Sequence, residues 1–172
     1  MKDNALAVAN YFIELANKED KPITLLGLIK RVYKAHGFSL AIFNKPLLDP
    51  RFDRVEAWRY GPVIPSVYHS FKQFKANPIT EKTVVMTWDE EKMEPHFHTP
   101  RLEDKDARKI VEMVWKRYAG MSDSSMVSLT HKKGSPWDMC YIQDKNEPIP
   151  DEITKWYYER LVKLITSDSN GC

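Results

Sequence analysis

The sequence predicts a mainly helical domain of the α+β class: a compact multi-helix unit with a small two- or three-stranded antiparallel sheet. Three observations carry that expectation. Apolar residues recur at helical spacing near the N-terminus, around 102–119 and at the C-terminal end. The stretch Val55–Phe74 (VEAWRYGPVIPSVYHSFKQF) opens with strand-like alternation, breaks at Gly61-Pro62, and resumes at helical spacing through Val67, Tyr68, Phe71 and Phe74. Lys82–Trp88 carries Thr83, Val84, Val85 and Thr87, β-branched residues that favour a strand.

Taken in order, Ala5, Val8, Ala9, Phe12, Ile13 and Ala16 share one face of a helix over residues 3–18, with Asp3 or Asn4 placed to cap it. Thr24 can cap a second helix whose inner side is Leu25, Leu28, Ile29, Val32 and Tyr33. Lys30, Arg31 and Lys34 alternate with these and read as its solvent face. Gly37 is expected to end or bend this helix, with Ser39–Phe43 continuing helical and Pro46–Leu48 extended. Asp49-Pro50 and Asp53 are turn residues.

The corner at Val55–Phe74 follows. Lys82–Trp88 is expected to pair with Val55–Ala57, and Asp89–Pro100 reads as a loop or short hairpin. A strong helix then starts at Leu102 or Glu103 and runs to Ala119, on Ala107, Ile110, Val111, Val114 and Tyr118, with Gly120 placed to terminate it. Ser122–His131 reads as a short capped helix. Ser135-Pro136-Trp137 reads as an N-cap, a first-turn proline and a helix to about Asp144. Asp151 can cap the last helix, whose apolar side is Ile153, Trp156, Tyr157, Leu161, Leu164 and Ile165. Short connections argue for a single domain, residues 1–166, with 167–172 as a polar tail.

Composition excludes several classes. The 172 residues are 42% hydrophobic, 29% charged and 12% aromatic, the profile of an ordinary globular domain. A net charge of +2 gives no electrostatic case for nucleic acid or a membrane surface. The two cysteines, Cys140 and Cys172, make no disulfide framework and suit a reduced, cytoplasmic setting. The N-terminus lacks a signal peptide's layout, and no apolar run approaches the ~18–20 residues of a membrane span.

No motif argues for catalysis, a metal or a cofactor. His96-Phe97-His98 offers two imidazoles without the further ligands of a structural metal site. Cys140 and His131 suggest a nucleophile–base pair, but no orienting third group accompanies them. The acidic sets at 89–91 and 103–104 read as solvated charges, and no glycine-rich phosphate loop is present. A helix-turn-helix around Pro22–Phe38 is the basis of an alternative reading, a DNA-binding regulator of its own operon. Trp58, Arg59, Tyr60 and the distant Trp137 are of the residue types that dominate binding hot spots, with core packing as the competing role.

Three segments together carry a resemblance: TLLGLIKRVYKAHGFSLAIFNKPLL (24–48), VEAWRYGPVIPSVYHSFKQF (55–74) and LTHKKGSPW (129–137). In order and spacing they resemble the Panacea domain, the SocA-like antitoxin family often found in phages and mobile elements. Gly27 departs from the lysine-containing pattern of the family's helix. The resemblance implies a small, mainly helical fold with a minor β element and no enzymatic activity. It implies an antitoxin that neutralises a cognate toxin encoded nearby by direct protein–protein binding, or as an adaptor to a cellular protease. The family-motif or partner-binding candidates are Trp58, Arg59, Tyr60, Gly61, Pro62, Val63, Tyr68, Thr130, His131, Ser135, Pro136 and Trp137. Because such a domain type pairs with unrelated toxins, shared residues are expected to be scaffold and other surfaces to choose the toxin. Ser135-Pro136-Trp137 is expected to pack beside the Gly61-Pro62 corner.

Overall fold

Helix α2 (Leu25–Phe43) is the axis of the structure, a computed structural model that describes residues 4–169. Thr24 starts it by accepting from the Gly27 amide at 3.3 Å, and Asn44, at φ 53°, ends it. Around it pack α1 (Asn4–Lys18), α3 (Pro65–Phe71), α4 (Lys105–Tyr118), α5 (Asp123–Thr130) and α7 (Asp151–Ser169). A short helix, α6 (Pro136–Cys140), contacts α7. With neighbours all round, every residue from 27 to 40 is buried. The expected solvent face of α2 therefore does not exist. Lys30, Arg31 and Lys34 are 0%, 3% and 4% exposed.

Arg31 shows how such a cation is accommodated. Its guanidinium donates to the Gly27 carbonyl at 3.0 Å and to the carbonyls of Tyr118 and Met121 at 2.7 and 3.2 Å. The Tyr118 carbonyl ends α4 and that of Met121 lies just beyond it, and helical carbonyls at such an end lack partners and attract cations. A Cβ on Gly27 would sit 2.7 Å from Arg31 Nη1 and 2.6 Å from Asp123 Oδ1, so the glycine leaves room for this pair. Gly37 neither ends nor bends α2. The Tyr158 ring of α7 lies where its Cβ would be, at 2.4 Å, so the glycine permits close helix packing instead. Tyr158 is fully enclosed, edge-on to Phe38 and Tyr33.

The β structure departs from the expected pairing. Strand β1 (Glu56–Trp58) pairs antiparallel with β2 (Gly61–Val63), in register Glu56↔Val63, Ala57↔Pro62 and Trp58↔Gly61. On its other side lies β5 (Glu147–Pro148), giving the order β2-β1-β5. Val85–Asp89 (β3) pairs instead with Glu94–His98 (β4), from Val85↔His98 to Asp89↔Glu94. In both cases a strand takes the partner a short turn away, which closes a smaller loop than a distant pairing. Gly61-Pro62 is thus part of a strand as well as a corner, and Asp89–Pro100 supplies only the turn and second strand of a hairpin that begins at Val85.

Other boundaries shift modestly. Helix α4 is capped by Asp104, which accepts from the amides of Asp106 and Ala107. It ends at Tyr118, and Gly120 has no positive φ. Helix α6 stops at Cys140 rather than near Asp144, and Ile142↔Lys145 forms a bridge beyond it. Helix α7 runs through Ser167 and Asp168 to Ser169. Asp3 as a cap, and residues 170–172 of the expected tail, lie outside the described residues.

Candidate functional site

The two motif segments meet at the β1–β2 hairpin. Gly61 has φ +100°, a conformation open to glycine and strained for other residues. A Cβ there would lie 2.8 Å from Lys30 Nζ and 3.0 Å from Thr130 Oγ1. Into this gap Lys30 extends from α2 and donates to the Pro62 carbonyl at 2.9 Å. Burial pulls the Lys30 pKa down to about 7. Val63 is buried on the strand beyond, and Pro65 opens α3, which buries Val67 and Phe71.

The second segment closes over the first. Trp137 Nε1 donates to the Trp58 carbonyl at 2.7 Å. Trp58 turns its own Nε1 to Glu56 at 2.8 Å and packs edge-on against Tyr68 at 5.1 Å. His131 stacks on Trp137 at 3.9 Å, and Trp137 stacks on Tyr141 at 4.6 Å. Ser135 is buried and caps α6 by accepting from the Asp138 amide, while its hydroxyl donates to the Thr130 carbonyl at 3.1 Å. Thr130 donates back to carbonyls of its own helix, and Pro136 is buried in the first turn of α6. Of the sequence candidates, only Arg59 and Tyr60 stand out in solvent, the guanidinium 5.5 Å over the ring.

This is the chemistry of a joint. His131 Nε2 is buried without a hydrogen-bond partner, and burial together with the Lys30 charge holds its pKa below the usual value. No hydrogen bond connects His131 with Cys140 among the described residues, and burial pushes the Cys140 thiol up, away from a reactive thiolate. His96 and His98 stack 6.1 Å apart, and no group of three or more metal-ligating side chains converges among the described residues. No helix there is long and apolar enough to cross a membrane.

A second surface was not singled out by the sequence. The β3–β4 hairpin projects from the body, its strands contacting mainly each other. Cross-strand partners share a face, so Met86 with Phe97, and Trp88 with Pro95, form one apolar side. Met86, Trp88 and Phe97 are 57%, 56% and 64% exposed, flanked by the exposed Val84 and Met93. The turn at the tip carries Asp89, Glu90, Glu91 and Glu94 against one cation, Lys92.

The base of this hairpin is clamped by Asn10 of α1, itself buried. Its amide donates to the Thr83 and Pro100 carbonyls at 3.1 and 3.0 Å and accepts from the Thr83 amide at 2.9 Å. The signal that could have found this surface was the period-2 placement of Met86 and Trp88 opposite Phe97.

The family profile described as "Antitoxin SocA-like, Panacea domain" matches residues 28–138, more than half of the chain. The chain is also 33% identical over 140 residues to Antitoxin SocA of Caulobacter vibrioides (strain NA1000 / CB15N), a match covering 79% of this chain and 69% of that protein. No solved structure gives a significant match.

Proposed function

Because the chain belongs to the SocA-like antitoxin family defined by the Panacea domain, we propose that it neutralises a protein toxin encoded beside it by direct binding, with the β3–β4 hairpin as the docking surface. The observation that supports this reading is the apolar face of Met86, Trp88 and Phe97, each more than half exposed among the described residues. Large exposed apolar side chains grouped on one rigid element mark interaction surfaces, and tryptophan is a preferred anchor. A stable complex needs ~800 Å² per partner, so neighbouring surface must contribute around this anchor. The acidic tip calls for a toxin whose apolar patch is rimmed by lysine or arginine.

In this reading the Trp58–Trp137 joint is scaffold, and the hairpin selects the partner. Delivery of the toxin to a cellular protease would use the same contact. The burial of residues 27–40 of α2, with Lys30, Arg31 and Lys34 among them, weighs against the DNA-binding alternative, because the helix presents no basic face.

Expression of the neighbouring open reading frame with and without this protein tests the proposal. Growth arrest by the neighbour alone, relieved by co-expression, is the expected result. A neighbour that is harmless, or toxic in both cases, contradicts it. A fall in toxin abundance on co-expression would point to the adaptor route, and constant abundance to blocking.

A further inference from the structure

A cleft of about 450 Å³ lies between α2, α4, α7 and the segment joining α5 to α6. Its walls include Lys34, Arg117, Lys132, Tyr118 and Tyr157, and no carboxylate lines it. Lys34 is the unusual member. Only 4% of it is exposed, and its ammonium lies 4.6 Å over the Tyr118 ring with no hydrogen bond or ion pair among the described residues. A buried ammonium normally has an anionic or carbonyl partner, because desolvation without one costs several kcal/mol. Here the charges that act on it, those of Lys132, Arg117 and Arg31, have its own sign. Arg31 is spent on backbone carbonyls, whereas Arg117 and Lys132 are exposed at the cleft.

We propose that this cleft is a binding site for a small phosphate ester, with Lys34 beneath the phosphate and Arg117 and Lys132 at its mouth. Three cations with no facing acid suit a dianion better than a monoanion. The volume falls in the range of small-molecule sites and exceeds what phosphate alone fills. The remaining walls, Met121, Leu129, Leu161 and the tyrosine rings, suit an apolar or aromatic body on the ester. Burial, with the neighbouring cations, brings the Lys34 pKa down to about 8, so at neutral pH it is still mostly charged and available to pair. This site shares no residue with the β3–β4 hairpin.

Calorimetric titration of the isolated protein at constant ionic strength, with phenyl phosphate, inorganic phosphate and benzoate as probes, tests the inference. Phenyl phosphate is expected to bind more tightly than inorganic phosphate, and benzoate more weakly than either. Lys34→Met, which keeps most of the side chain's apolar length without its charge, is expected to weaken phenyl phosphate at least about tenfold. Lys132→Ala and Arg117→Gln, at exposed positions that do not endanger folding, are each expected to weaken it by roughly threefold to tenfold. Absence of binding by the unaltered protein at about 10 mM phenyl phosphate overturns the proposal, since that corresponds to no useful affinity. So does benzoate binding as well as phenyl phosphate, or unchanged affinity in both Lys132→Ala and Arg117→Gln.

Discussion

The ammonium of Lys30 donates to the carbonyl of Pro62 at 2.9 Å from a position with no exposed surface. One side chain of the central helix thereby fixes the β1–β2 hairpin, and the missing side chain of Gly61 makes the space for it. The contact has a pH signature. Unfolded, Lys30 keeps its proton up to the ordinary value of 10.5, and folded it gives it up at about 7. Between those values the unfolded chain binds more protons, so stability rises with pH. Below 7 both states are charged and the penalty is constant. Lys34 acts in the same direction from about 8. Urea unfolding at several pH values is expected to show a gain of about 2 kcal/mol from Lys30 between pH 7 and 9, with about 1 kcal/mol more from Lys34. Lys30→Met should flatten much of that slope, and an unchanged slope would contradict a buried, discharging Lys30.

Gly61→Val combines a strained φ with a Cβ inside contact distance of Lys30 and Thr130. A loss of roughly 2–4 kcal/mol in urea unfolding is expected from strain plus overpacking. A variant of unchanged stability would show that the corner can rearrange around a side chain.

Trp137→Phe keeps most of the stack on His131 and Tyr141 but removes the donor to the Trp58 carbonyl. The expected cost is about 1–2 kcal/mol. Trp58→Ala, which also removes the contact with Tyr68, should cost more and should lower stability before it selectively weakens toxin binding. A fully stable Trp58→Ala protein that no longer binds would restore this corner as the interface.

Asn10→Leu removes three hydrogen bonds at the base of the β3–β4 hairpin and leaves the amide and both carbonyls without that partner. Amide exchange across 83–100 is expected to accelerate by about tenfold or more, with smaller changes in α2, because local opening has its own free energy. Uniform acceleration throughout the chain would mean that Asn10 supports the whole core instead.

The helices were legible because periodicity, caps and breakers agreed: Thr24 before α2, Ser135-Pro136 before α6, the apolar stripe of α4. The burial of Lys30, Arg31 and Lys34 was not, since cations between apolar residues look like a solvent face whatever surrounds the helix. A hint was available, for α2 contains no acidic residue and its apolar positions spread beyond one face. Strand partners were misjudged because β propensity reports a strand without its neighbour, and the two-residue β5 is too short to leave a pattern. At the joint, motif spacing pointed to Trp58 and Trp137 as a set, while the hydrogen bond between them depends on a fold that brings residues 79 apart together.

In the proposed function the joint holds the fold while the hairpin recognises the toxin. A variant carrying Met86→Ser, Trp88→Ser and Phe97→Ser changes only exposed side chains, so its melting temperature should stay close to that of the parent. Neutralisation of the proposed toxin, the product of the neighbouring open reading frame, measured by growth on co-expression, is the direct test. A folded triple variant that fails to rescue growth is the expected result. Full rescue by that variant would contradict it and place toxin recognition elsewhere on the molecule.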